Sequence, residues 1–76
     1  MISLEDYKLI IPHRVVILKF RQTGCYKGGD VLILADKLRQ RYGCGPPINY
    51  ACNGCKIEAM NDLYHLMNEY EKQNNL

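Results

Sequence analysis

The chain has 76 residues, 47% hydrophobic and 24% charged, with a formal net charge of +2. This composition fits one folded domain spanning 1–76 and excludes a disordered tail, a collagen-like repeat or a string of domains. No apolar run reaches the ~20 residues of a membrane-spanning helix. With no Trp and one Phe, aliphatic side chains, Met and Tyr must fill the interior, and the Tyr hydroxyls then need partners. A core of this size is marginal, so a small domain often adds a metal, disulfides or a second chain.

In chain order, Ser3 followed by Asp6 resembles a helix-start signal, and Leu4 to Ile10 can form one or two turns before Pro12. These first residues are acidic early and lack a basic stretch and a small-residue cleavage site, which argues against a signal peptide. The expectation is a cytoplasmic protein, where thiols stay reduced.

The run Val15–Leu18 is locally β-like, but no second strand offers it a ladder. Pro12 at the first position and Gly24 beyond the end punctuate a helix over about 12–22, with Val16, Ile17 and Phe20 on one face. The alternative is a small α+β domain with 14–21 as a strand. A second helix is expected over about 30–42. Asp30 is its N-cap candidate, Val31, Leu34, Ala35, Leu38 and Tyr42 form its apolar stripe, and Gly43 is a left-handed stop. A third is expected over about 55–72, with Ile57, Met60, Leu63, Tyr64, Met67 and Tyr70 in a stripe and a frayed tail beyond it. The reading is an all-α three-helix domain with a short N-terminal helical turn.

The Cys-rich loop 43–54 is long for a helical connection and holds Cys44, Cys52 and Cys55. Cys52-Asn53-Gly54-Cys55 is a C-x-x-C pair, a spacing at which two thiolates chelate one ion. His65 lies about 15 Å beyond Cys55 along the same helix, too far to join them. A hairpin of the first two helices would bring His13 beside Cys44. The expected set is therefore a zinc site of Cys44, Cys52, Cys55 and His13, with Cys25 as the alternative fourth ligand. The competing explanation is four ordinary buried thiols. Iron–sulfur and thioredoxin-like readings lack the required spacings and the βαβ context.

Charge is uneven. Residues 13–43 hold seven basic and two acidic residues, a net of +5, and residues 44–76 hold two and four, a net of −2. Lys19, Arg21, Lys27, Lys37, Arg39 and Arg41 would supply a basic face for an anionic partner. "TGCYKGGD" lacks phosphate-loop spacing and reads as a turn. No nucleophile–base or paired-carboxylate pattern points to an enzyme. The expected function is a small non-enzymatic regulatory or accessory domain, zinc-stapled, that contacts nucleic acid or an acidic protein surface through a basic helical hairpin. The alternative is a structural or interaction protein of a phage or mobile element, which dimerises or docks through its amphipathic C-terminal helix.

Overall fold

The computed structural model describes residues 2–76 and bears out the all-α reading. In order come α1 (Leu4–Ile10), a 3-10 turn (Ile11–His13), α2 (Arg14–Thr23), α3 (Gly29–Arg41) and α4 (Asn53–Gln73). There is no strand among the described residues, so 14–21 is helix. Its β-branched run had no partner to complete a ladder.

Local chemistry sets each boundary. Ser3 caps α1, its Oγ accepting the Asp6 N–H at 3.2 Å. Pro12 sits in the 3-10 turn, so regular α-geometry starts only at Arg14, and Gly24 closes α2 at φ 75°. Gly28, not Asp30, is the N-cap of α3. Asp30 falls in the first turn, where its charge still suits the helix dipole. Gly43 provides the expected left-handed stop at φ 69°. The Cys44 N–H donates to Arg39 O at 2.8 Å and the Gly43 N–H to Gln40 O at 3.4 Å, the paired bonds of a Schellman ending. The tail expected to fray is also closed: Asn75 is left-handed, and the Leu76 N–H donates to Glu71 O at 2.8 Å.

α4 is the centre of the fold. α3 and α2 both pack on it, and α1 lies over α3 and α4. The α2–α3 hairpin expected from the sequence is thus replaced by two helices that share one support. Ala59, Met60, Leu63, Met67 and Tyr70 of α4 are buried against Ile10, Ile17, Phe20, Val31, Ala35 and Leu38 in one cluster. Ile57, expected in the same stripe, is 46% exposed. Most of the C-terminal stripe is therefore consumed inside the fold, with Tyr64 half-buried at its edge.

Two buried carboxylates fasten α1. Glu71 accepts from the Tyr7 hydroxyl at 2.6 Å and from Arg14 Nε and Nη2 at 2.9 and 3.0 Å. Tyr7 stacks on Tyr70 with ring centroids 4.3 Å apart. Asp6, 3% exposed, accepts from the Arg41 guanidinium and the Tyr42 hydroxyl, and Tyr42 Oη in turn accepts the Ser3 N–H. The Tyr42 hydrogen bond, aided by Arg41 and opposed by burial, holds the Asp6 carboxyl below its ordinary range. The Arg14 hydrogen bonds do the same for Glu71, and donation to Glu71 pushes the Tyr7 hydroxyl up.

A carboxylate whose pKa is depressed by folding stabilises the fold at pH values above its unfolded pKa, and that stability is lost as pH falls through the folded value. The ordinary values here are 3.8 for Asp and 4.5 for Glu. Thermal melts should thus be flat from neutral pH to about 5 and fall steeply below about 4. Asp6→Asn and Glu71→Gln should each lower the midpoint at pH 7 and flatten the acid limb. In chemical denaturation Leu63→Ala should cost ~2–5 kcal/mol, whereas Val15→Ala, on an exposed position, should stay within ~0.5 kcal/mol.

Candidate functional site

The loop between α3 and α4 is held by side chains of α3. Asp36 accepts the Ile48 N–H at 3.0 Å through one carboxylate oxygen and the Tyr50 hydroxyl at 3.1 Å through the other. Arg39 donates to Pro46 O at 3.3 Å and through Nε to Asp62 at 2.7 Å, linking α3, the loop and α4. A Cβ on Gly45 would lie 2.7 Å from Arg39 Nη2, so glycine is what lets the backbone pass this guanidinium. Asn49 closes the last turn, its side chain accepting the Ala51 N–H and its carbonyl the Cys52 N–H, both at 2.9 Å. Sequence reasoning missed Asp36. Its one trace was an acidic residue one helical turn before Arg39.

The cysteines divide. Cys52 is the N-cap of α4, its Sγ accepting the Cys55 N–H at 3.2 Å. Both thiols are part-exposed, and all four cysteines are free. Cys44 and Cys25 are exposed, and His13 sits half-buried at the junction of the 3-10 turn and α2. Among the described residues no three side chains of His, Cys, Asp or Glu come close enough together to hold one ion. The structure thus brings together Cys52 and Cys55 of the expected ligands and does not gather Cys44, His13 or Cys25 around them. The hairpin that was to carry His13 to Cys44 is not how α2 and α3 pack.

The neighbouring Cys55 thiol, with the N–H of Cys55 and of Gly54 behind it, holds Cys52 below the ordinary thiol range. The neighbouring Cys52 thiol, with burial, pushes Cys55 up.

The expected basic face also divides. Arg39 is 4% exposed and locked to Asp62, and Arg41 is paired with Asp6. Arg21 lies 4.4 Å over the Tyr64 ring and donates to Asn61. Lys19, Lys27 and Lys37 remain exposed, with no ion-pair partner among the described residues. Lys19 and Lys27 flank a groove of about 440 Å³ lined by Val15, Val16, Cys25 and Tyr26. Tyr26, one of its lining residues, packs edge-on against Phe20, with centroids 5.9 Å apart. Val15 is 77% exposed. The sequence did mark it: it lies off the face shared by Val16, Ile17 and Phe20, an apolar residue on a wet side.

No protein family, curated protein or solved structure matches this chain. No helix among the described residues is long and apolar enough to cross a membrane.

Arg39→Ala strands a partner that is itself 28% exposed at the side chain. Its cost should fall between that of an exposed and that of a fully buried ion pair, ~2–4 kcal/mol. Urea unfolding of Arg39→Ala beside Lys37→Ala, expected within ~0.5 kcal/mol of the parent, checks this.

Proposed function

We propose that the protein is a non-enzymatic accessory binding domain. Its groove between α2 and the α2–α3 turn receives an acidic, apolar-rich segment of a partner protein. The supporting observation is the groove itself, lined by the apolar Val15 and Val16 and by Tyr26 together with the ammonium-bearing Lys19 and Lys27. Its volume, about 440 Å³, lies within the roughly 300–1,000 Å³ of sites that bury small ligands. Two hydrophobic anchors of a partner would fill the groove, and flanking carboxylates would meet the two ammonium groups. Apolar surface supplies the affinity in such a contact, and charge supplies orientation and encounter rate.

The groove favours a protein segment over a nucleic acid for a physical reason. Phosphate tracking uses arrays of cations free to displace counterions. Here Arg14, Arg39 and Arg41 are held in internal ion pairs and Arg21 against Tyr64. Arg14 and Arg41 keep 46% and 48% of their side-chain surface but are already committed to carboxylates, and of the unpaired lysines Lys19 and Lys27 border the apolar groove.

The test is an NMR titration of the isotope-labelled chain with two probes, a synthetic peptide of alternating Leu and Glu and a short DNA duplex. The peptide should shift the amides of Val15, Val16, Lys19, Tyr26 and Lys27 and retain most of its affinity at high salt. Lys19→Glu/Lys27→Glu should weaken it at least ~10-fold, the equivalent of ~1.4 kcal/mol. Shifts produced by the duplex alone, abolished by salt, would replace this reading with the nucleic-acid one.

A further inference from the structure

The Cys52–Cys55 pair is absorbed neither by the groove nor by the loop's fastening. The loop is tied by Asp36, Arg39 and Asn49, so the two sulfurs are not needed to shape it. Three features set the pair apart from Cys25 and Cys44. The two thiols are close enough in space for each to shift the other's titration. Cys52 caps a helix of 21 residues and receives the Cys55 N–H at 3.2 Å. Both are part-exposed, within reach of a small molecule from solvent.

The roles are unequal. A sulfur at an N-cap faces the positive end of the helix dipole, which favours the thiolate. Cys55 lies inside the first turn and donates its backbone N–H to Cys52 Sγ. The Cys52 backbone is pinned, its N–H donating to Asn49 O at 2.9 Å and its carbonyl accepting the Lys56 N–H at 3.1 Å. Its side chain therefore presents the sulfur from a fixed base.

We propose that Cys52 and Cys55 are a reversible dithiol that exchanges with low-molecular-weight disulfides such as glutathione disulfide, Cys52 attacking and Cys55 resolving. The Cys52 thiolate attacks one sulfur of the small disulfide, whose S–S bond breaks. A mixed disulfide forms and one small thiolate leaves. Cys55, its proton passed to a departing thiolate or to water, attacks Cys52 Sγ. The Cys52–Cys55 bond forms and the second small thiol is released. The protein loses two electrons and the small disulfide gains them, and a dithiol reductant reverses the sequence. The assignment does not depend on the groove of α2, so either can fail without the other.

Intact-mass measurement after equilibration in glutathione buffers of graded oxidised-to-reduced ratio tests this. The full chain should lose the mass of two hydrogens, with peptide mapping placing the bond between residues 52 and 55. Cys55→Ser should accumulate a glutathione adduct on Cys52. Cys52→Ser should form no intrachain bond and pick up adduct at Cys55 more slowly. Circular dichroism establishes that each variant keeps its helix content, and if one does not, the mapping on the unaltered chain decides alone. A pair that stays reduced in fully oxidised glutathione overturns the proposal. So does an intrachain bond that joins Cys25 or Cys44, or equal adduct rates in the two variants. One zinc ion per chain that shields Cys44, Cys52 and Cys55 from alkylation would also overturn it and make them ligands.

Discussion

The burial of one face of α4 organises everything else. Met60, Leu63 and Met67 are each 1% exposed or less, and α2, α3 and α1 are arranged by what they place against that face. A chain of 76 residues buries too little area for wide margins. Its helices therefore add charge-assisted hydrogen bonds at their edges, where arginines reach carboxylates: Arg14 to Glu71, Arg41 to Asp6 and Arg39 to Asp62. Two of the three carboxylates are buried. Left unpaired, each would oppose folding by several kcal/mol. The bonds therefore specify one arrangement of the helices more than they add to its depth.

The same economy explains the α3–α4 connection. The backbone of residues 42–52, which leaves one helix and enters another, needs hydrogen-bond partners, and a metal was one way to order it. α3 provides another. Asp36 and Arg39 lie three residues apart on its loop-facing side. Between them they satisfy the Ile48 amide, the Tyr50 hydroxyl and the Pro46 carbonyl. With the loop tied in this way, Cys52 serves as the cap of α4, its Sγ accepting the Cys55 N–H.

Basic residues are sorted by type as much as by position. The arginines are drawn to carboxylates and to the Tyr64 ring, because the planar guanidinium can make several directed hydrogen bonds and lie flat on an aromatic face. The lysines are left at the surface. A count of charge between residues 13 and 43 treats both alike and so overstates the free positive field. Of the lysines left outward there, Lys19 and Lys27 stand beside an apolar hollow.

Local signals were legible in the chain. Apolar periodicity gave the three long helices, Pro12, Gly24 and Gly43 gave their limits, and Ser3 gave the short first one, because each acts through neighbours within one turn. The C-x-x-C pair was legible for the same reason: its residues lie three apart at a helix start. The rest depended on contacts between residues far apart in the sequence. Asp6 meeting Arg41 and Tyr42, Glu71 meeting Tyr7 and Arg14, and α2 and α3 both choosing α4 over each other have no local signature. Tertiary packing alone decided which cations were buried, which cysteines stood apart and where an apolar hollow stayed open. Burial and charge pairing depend on distance in space, which the order of residues along a chain does not record.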